Sequence, residues 1–323
     1  MLAAAQRGDE EAFVRLTAPH RRALHLHCYR LLGSLHDADD ALQETLLRAW
    51  RGLPRFEPRA PLRAWLYRIA TNVALRMVEQ RRRQPTHVDA HLEPYPDRLL
   101  EGLQATEPEP HEQAVMSEHI GLAYIAALQL LPEKQRAVLV LRDALGWKAQ
   151  EVGELLGDSV AAVNSALQRA RDKLEREREA GTLARVHAPS DDAAEARAMR
   201  LFQKAWSAVD VDGIVALLTD DALLTMPPLD MRFAGAPAIG TFLATQPMEG
   251  RLDRIALVEA RANGQPALGS YADDEGDGVP RAYGVMVFAL RGDRIAGITG
   301  FPRDATLFTE LGLPVALEPR REP

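Results

Sequence analysis

"WKAQEVGELLGDSVAAVNSALQRARDKL", residues 147–174, decides how the middle of this chain folds. Val152, Leu155 and Leu156, then Val160, Val163 and Leu167, recur at helical spacing on either side of Leu156–Gly157–Asp158. A glycine between two periodic segments stops one helix, and the pattern reads as a helix-turn-helix locked by these apolar residues. On the second helix Asn164, Ser165, Gln168 and Arg169 fall at i, i+1, i+4 and i+5 along one polar side. Asn and Gln can bridge adenine edges, and Arg can bridge guanine, in the major groove. Arg171, Lys173 and Arg176 follow at phosphate-binding positions. A plain helical hairpin with a solvated face would show the same row. The convergence of base-reading and phosphate-binding side chains on one helix favours DNA.

The whole chain supports that choice. Its 323 residues are enough for two or three domains, and 46% are hydrophobic, so each can build a core. No apolar run of about 18 residues is present, so no membrane span is expected. "MLAAAQRGDEEAF" does not read as a signal peptide. Cys28 stands alone, which forbids an intrachain disulfide and fits a cytoplasmic location. The net charge of −7 is unevenly spread. Residues 1–85 carry roughly +6, residues 86–113 roughly −6, and residues 191–323 roughly −7. A basic head, an acidic connector and an acidic tail suit a head that meets nucleic acid.

Upstream, helical texture runs from residue 10 to 83, broken at Gly33 and again in "RGLPRFEPRAP". Within it, "DADDALQETLLRAW" (residues 37–50) concentrates carboxylates ahead of apolar residues. On a helix Asp40, Gln43, Glu44 and Leu47 share one face. Ala38, Ala41, Leu42, Thr45, Ala49 and Trp50 turn inward. Asp37 and Asp39 lie at the helix start, where negative charge suits the dipole. Metal or acid/base chemistry would need convergent ligands from elsewhere, and none is evident, so a docking face is expected.

"LRAWLYRIATNVALRMVEQRRR" (residues 62–83) reads as about six helical turns. Trp65 and Tyr67 mix with arginines as in sites for unpaired bases, although helical spacing favours Trp65 as core. Asn72 is a polar interruption able to recognise an exposed base. Arg81, Arg82 and Arg83 form a basic helix end suited to phosphate or to the dipole. His25, His27 and Cys28 are close in sequence, but one helix points the two histidines about 200° apart, so a packed helix is expected rather than a metal site.

Prolines at 85, 94, 96, 108 and 110 mark a connector. Its apolar string Leu92, Tyr95, Leu99 and Leu100 is expected to be idle. Pro132 is expected at the first position of a helix that Gly146 ends. "HAPSDD" (residues 187–192) reads as a second linker. Beyond it, "DAAEARAMRLFQKAWSAVD" and "VDGIVALLTD" read as helices. Strands follow with turns at Asn263–Gly264 and Gly292–Asp293, an α+β texture.

"DADDALQETLLRAW", "LRAWLYRIATNVALR" and "LPEKQRAVLVLRDALGWKAQEVGELLGDSVAAVNSALQRARDKL" occur in an order that resembles regions 2 and 4 of bacterial sigma-70 family factors, in the extracytoplasmic-function group. "FQKAWSAVDVDGIVALLTDDALLTMPP" and "FAGAPAIGTFL" resemble the opening of the SnoaL-like cone fold. The resemblance implies two all-α domains, a region 2 helical bundle and a region 4 helix-turn-helix, then an α+β SnoaL-like cone with a curved antiparallel sheet. The implied limits are 1–85 for region 2, 86–113 for the acidic Pro-rich linker, 114–185 for region 4, 186–194 for a second linker and 195–315 for the SnoaL-like regulatory domain.

The implied partners are core RNA polymerase, through the β′ coiled coil and the β subunit, and promoter DNA at its −35 and −10 elements. Asp40, Gln43, Glu44 and Leu47 fall where the family contacts β′. Leu62, Asn72, Arg76, Arg81, Arg82 and Arg83 fall on the −10 side, with Asn72 where the family captures a flipped base. Asn164, Ser165, Gln168, Arg169, Arg171 and Lys173 fall on the −35 side. Asn164 and Gln168 depart from the family's usual residues there, so a promoter sequence does not transfer. The third domain is implied to tune sigma activity in cis, with an intramolecular contact to the sigma domains. Trp206, Met226, Asp230, Met231, Tyr283 and Phe288 could line a ligand pocket or be ordinary core. No histidine follows His187, so a non-enzymatic role without cofactor or metal is expected. The competing reading is a DNA-binding regulator fused to a SnoaL-like enzyme or ligand-sensing domain.

Overall fold

The computed structural model describes residues 1–58, 61–83, 92–101, 103, 121–180 and 192–319; the side chains of Arg82 and Arg83 and most of the two linkers, including residues 86–91, 104–113 and 186–191, lie outside the described residues. The contacts divide the chain into two units. One comprises Met1–His91, Leu100–Thr106 and Ile125–Glu175; the other comprises Leu92–Leu99, Glu107–Tyr124 and Arg176–Pro323.

The first unit is all helical: α1 (Leu2–Gln6), α2 (Glu10–Thr17), α3 (Arg21–Leu32), α4 (Leu35–Gly52) and α5 (Leu62–Arg83), then α6 (Leu122–Gln129) from Ile125 on, α7 (Glu133–Leu139), α8 (Ala149–Leu156) and α9 (Val160–Glu179) as far as Glu175; Leu122–Tyr124 and Arg176–Glu179 belong to the second unit. Helices α3, α4 and α5 pack on one another around Leu24, Tyr29, Leu31, Leu66 and Tyr67, all essentially inaccessible. Each such side chain removed from water contributes roughly 1.5–3 kcal/mol. Gly33 ends α3 in the left-handed region (φ 77°). Pro132 sits one position earlier than expected, as the N-cap of α7 with extended ψ of 142°. Helix α7 continues into a π-type turn at Val140–Ala144 before Gly146 (φ 68°). Arg136 on α7 is buried and donates to the carbonyls of Leu31, Gln129 and Leu131, which ties the α7 segment to α3.

The second unit carries α10 (Asp192–Ser207), α11 (Val211–Leu217), β1 (Leu218–Thr225), β2 (Arg232–Ala234), α12 (Ala236–Thr245), β3 (Ile255–Ala262), β4 (Gln265–Ala272), β5 (Arg281–Arg291), β6 (Arg294–Pro302) and α13 (Ala305–Glu310). The sheet order is β2-β1-β6-β5-β4-β3, an open curved sheet. Every neighbour is antiparallel except β1 beside β6, which is parallel. Register shifts at Ser270/Tyr271 and Ala289/Leu290 bend the strands. Both expected hairpin turns are present. "VDGIVALLTD" is shorter as a helix than its sequence implied: Leu218–Asp220 already belong to β1, pairing Leu218 with Ile295. Tertiary pairing overrides local propensity at that junction.

The sheet buries both faces. Phe202, Trp206, Leu224, Ile239 and Phe288 pack on the side of α10 and α12. Tyr271, Val287, Leu307 and Phe308 pack on the other, with Leu92 and Leu122.

Candidate functional site

Helix α4 begins at Ser34, whose hydroxyl accepts from the Asp37 amide at 3.2 Å. Ala38, Ala41, Leu42, Thr45 and Ala49 are buried, as the helical spacing requires. Asp40, Gln43 and Leu47 are exposed, and Glu44 is half-buried beside Arg48 at 2.6 Å. Leu47 is 51% exposed, an uncovered leucine one turn beyond Gln43 and Glu44. The acids at the helix start do more than meet the dipole. Asp37 pairs with Arg81 of α5, and Asp39 Oδ1 stands 3.2 Å from Nε2 of the buried His25. Trp50 is half-buried with its ring 5.1 Å from Phe13.

Helix α5 buries Leu66, Tyr67, Ala70, Val73 and Ala74, and this leaves Asn72 and Arg76 exposed on the outer side. Leu62 is half-buried. Trp65 is also half-buried, with Phe56 at 4.8 Å between ring centroids. Tyr67 is core, edge-on to His27 at 5.0 Å and to Trp147 at 5.6 Å. Of the expected −10 set, Leu62, Asn72, Arg76 and Arg81 are thus on one helix, with Arg81 held by Asp37; the side chains of Arg82 and Arg83 lie outside the described residues.

His27 and Cys28 are fully buried, and neither faces a ligand set among the described residues. Thr71 Oγ1 donates to the Tyr67 carbonyl at 2.8 Å, so its contact with His27 Nε2, also 2.8 Å, is received from the histidine. His27 Nδ1 has no partner. Burial first, and then Arg30, push the His27 pKa down to about 3. Burial pushes the Cys28 thiol up to about 12.

The helix-turn-helix closes at Gly157 in the left-handed region (φ 73°). Gly153 of α8 lets the turn approach: a Cβ there would meet the Asp158 carbonyl oxygen at 2.6 Å. Ser159 caps α9 by accepting from the Ala162 amide at 3.1 Å. Val163, Ala166, Leu167 and Ala170 turn inward. Asn164, Ser165, Gln168 and Arg169 form an exposed row, pre-ordered by Arg169 on Ser165 (2.5 Å) and Gln168 on Asp172 (2.7 Å). Arg171 and Lys173 are already engaged within the unit. Arg171 grips Asp143 through two bonds of 3.1 and 2.7 Å, and Lys173 donates to the Leu130 carbonyl at 2.5 Å.

In the second unit a cavity of about 380 Å³ opens between the sheet and α10 and α12. Trp206, Met226, Met231 and Tyr283 line it. Asp230 is exposed outside its lining, and Phe288 is core, its ring 4.9 Å from Phe202. Gln246, Ser270 and Arg303 also line the cavity, and sequence periodicity gave no sign of them.

The connector string expected to be idle is instead built in. Tyr95 is 1% exposed, and its backbone exchanges two 2.7 Å hydrogen bonds with Asn263. Asp97 accepts from the Gly264 amide at 2.8 Å and pairs with Arg261, which also reaches Glu195. Burial raises the Asp97 pKa against the lowering pull of Gly264 and Arg261. Arg98 donates to the Glu310 carbonyl at 2.9 Å. The Asn263–Gly264 turn was legible in the sequence; its partner was not.

None of the described helices is long and apolar enough to cross a membrane. Two families match the chain: Sigma-70 region 2 over residues 16–84 and Sigma-70, region 4 over residues 121–174. The ECF RNA polymerase sigma factor SigG of Mycobacterium tuberculosis is 39% identical over 330 residues, spanning 97% of this chain and 86% of SigG. SigE of Mycolicibacterium smegmatis is 36% identical over 170 residues, spanning 52% of this chain and 63% of SigE. The crystal structure of the M. tuberculosis extracytoplasmic function sigma factor SigJ superposes with a TM-score of 0.63 at 26% identity, covering 93% of this chain and 99% of SigJ. The helical unit with its two sigma regions, the sheet unit that follows in sequence and a relative alike over almost the whole length lead to one conclusion: this chain belongs to the extracytoplasmic-function group of RNA polymerase sigma factors, which act with RNA polymerase on promoter DNA, and it carries a C-terminal SnoaL-like domain.

Proposed function

We propose that Asp40, Gln43, Glu44 and Leu47 grip the β′ coiled coil of core polymerase, and that the β subunit completes the docking of residues 1–185. On this reading Asn72 captures an unpaired base of the −10 element, with Leu62, Arg76 and the Arg81–Arg83 run beside it. Asn164, Ser165, Gln168 and Arg169 read the −35 duplex, where one good bidentate contact is worth roughly 1–3 kcal/mol of discrimination. Arg171 and Lys173 reach phosphate only by leaving Asp143 and the Leu130 carbonyl. The observation that carries the reading is Leu47, half exposed on a helix whose other apolar side chains are buried or half-buried, on the same face as Asp40, Gln43 and Glu44. An apolar centre with a charged rim is the usual make-up of a protein interface.

The same reading keeps 1–85 and 114–185 as the two sigma modules, 86–113 and 186–194 as linkers, and 195–315 as a module that tunes the others in cis without catalysis. Reconstitution tests it. The full chain added to sigma-free core polymerase should give promoter-dependent transcripts. Truncation after residue 185 should change promoter binding. Identical promoter binding by both forms overturns regulation in cis, and transcription insensitive to charge reversal at Asp40 and Glu44 overturns the docking face.

A further inference from the structure

Arg171 continues the exposed row of α9. It lies at i+7 from Asn164 and at i+3 from Gln168, so the helical period puts all three on one stripe, away from the buried Val163, Leu167 and Leu174. Gln168 and Arg169 find their partners on α9 itself, whereas Arg171 is met by an acid from outside the helix. Asp143 Oδ2 accepts from Arg171 Nε at 3.1 Å, and its Oδ1 accepts from Nη2 at 2.7 Å. Two parallel bonds to one guanidinium edge are also how an arginine grips a phosphate.

The backbone puts the acid there. Asp143 lies in the π-type turn Val140–Ala144, where the Leu145 amide donates to the Val140 carbonyl at 3.1 Å. Val140 and Leu141 are buried beneath the turn, and Asp143 is left half-buried. Such turns interrupt the regular helical period and recur at functional sites. The pair is not a core staple. The Arg171 side chain is 53% exposed, and surface ion pairs add little to stability.

What the pair does add is a competitor. A phosphate that takes Arg171 leaves the Asp143 carboxylate unpaired beside a second anion, a repulsion that only salt relieves. Lys173 differs, because its internal partner is the neutral Leu130 carbonyl at 2.5 Å, so its release leaves no charge behind.

We infer that Asp143 is a positioning residue for DNA binding: it occupies the Arg171 guanidinium in place of a backbone phosphate and so holds down the affinity of α9 for duplex DNA. The inference rests on α9 as the −35 reading helix. Phosphate contacts carry no base information, so the effect falls on affinity and salt dependence rather than on base preference.

Holoenzymes reconstituted from core polymerase and full-length variants are titrated by fluorescence anisotropy at about 50 to 200 mM salt. The duplex is one that the parent holoenzyme selects from a randomised pool. Asp143→Asn keeps the side-chain shape and removes the charge. It should bind roughly three- to ten-fold more tightly at low salt, with log K against log salt steeper by about 0.9, the increment for one added phosphate contact. In an Arg171→Gln background the same substitution should change neither quantity. Lys173→Gln should weaken binding and flatten the slope by about 0.9 with either residue at 143. Circular dichroism checks folding, and Asp143→Ser serves if the Asn form does not fold.

The inference is overturned if Asp143→Asn leaves affinity and slope as in the parent, or if it tightens binding equally without Arg171, which is a general charge effect. It is also overturned if neither variant at 143 folds, which makes the pair structural. Lys173→Gln and Gln168→Ala separate it from the reading it rests on. Where these alter DNA binding and Asp143→Asn does not, only the role of Asp143 falls. Where the parent selects no duplex, or none of the three alters binding, α9 is not the reading helix and both fall.

Discussion

Tyr95 and Asn263, 168 residues apart, exchange two hydrogen bonds of 2.7 Å: the Tyr95 amide donates to Asn263 Oδ1, and the Asn263 amide donates to the Tyr95 carbonyl. Asn263 holds a left-handed conformation (φ 59°) and is 1% exposed. Asn263 therefore serves a tight turn through its backbone and a distant segment through its side chain at once.

That double duty makes Asn263 sensitive. Asn263→Ala leaves the buried Tyr95 amide unsatisfied, which costs about 1–3 kcal/mol, and adds strain at positive φ. Hydrogen exchange at the Tyr95 amide should accelerate at least about ten-fold, while exchange in α3 and α5 stays as in the parent. Unchanged Tyr95 exchange would show that the connector is held by other contacts.

The α4 face separates binding from folding. Asp40→Arg and Glu44→Arg change exposed or half-exposed positions, so the melting temperature should hold within a few degrees. Core polymerase affinity should fall about ten-fold or more, with the larger loss at low salt. Asp37→Ala should behave in the opposite way, because Asp37 pairs with Arg81 inside the fold: stability falls and the docking face persists. Fluorescence titration against core polymerase, paired with thermal melts, distinguishes the two.

Buried His27 should make the helical unit acid-sensitive. Its folded pKa, about 3, lies below the ordinary value of 6.5. The unfolded chain therefore binds the extra proton first, and stability is lost as pH falls below about 6.5, by up to about 1.4 kcal/mol per pH unit. His27→Gln keeps a donor toward Thr71 and removes the titration. Urea unfolding at pH 7.5 and 5.5 should show a smaller acid loss in the variant than in the parent.

Arg136 should be a keystone. It is buried with donors on the carbonyls of Leu31, Gln129 and Leu131. Arg136→Ala leaves those carbonyls without it and should cost about 3 kcal/mol or more in urea unfolding. Arg136→Lys should recover only part, since one ammonium cannot reproduce a forked guanidinium. By contrast, Gln168→Ala on the exposed side of α9 should leave stability within about 0.5 kcal/mol and alter discrimination among −35 sequences. A footprint across variant promoters reads that change.

Much of this was legible because it is periodic. Spacing alone placed Asp40, Gln43, Glu44 and Leu47 outward and Ala38, Ala41, Leu42, Thr45 and Ala49 inward, since a helix of 3.6 residues per turn allows no other arrangement. The same logic exposed Asn164, Ser165, Gln168 and Arg169 and found the Gly157 stop. Asn263–Gly264 and Gly292–Asp293 announced their hairpins because few other residues accept that backbone.

What the sequence by itself determined, then, was local: which segments are helix or strand, which side of each is apolar, and where the chain turns. Only the tertiary structure decided the pairings between distant residues. Asp37 with Arg81, Arg171 with Asp143, Tyr95 with Asn263, and the separation of Tyr283 in the cavity wall from Asp230 on the surface all depend on which segments meet. The physical reason is range. Dihedral preference and side-chain period act over a few residues, whereas a hydrogen bond between residues 95 and 263 exists only after the whole sheet has formed beneath it.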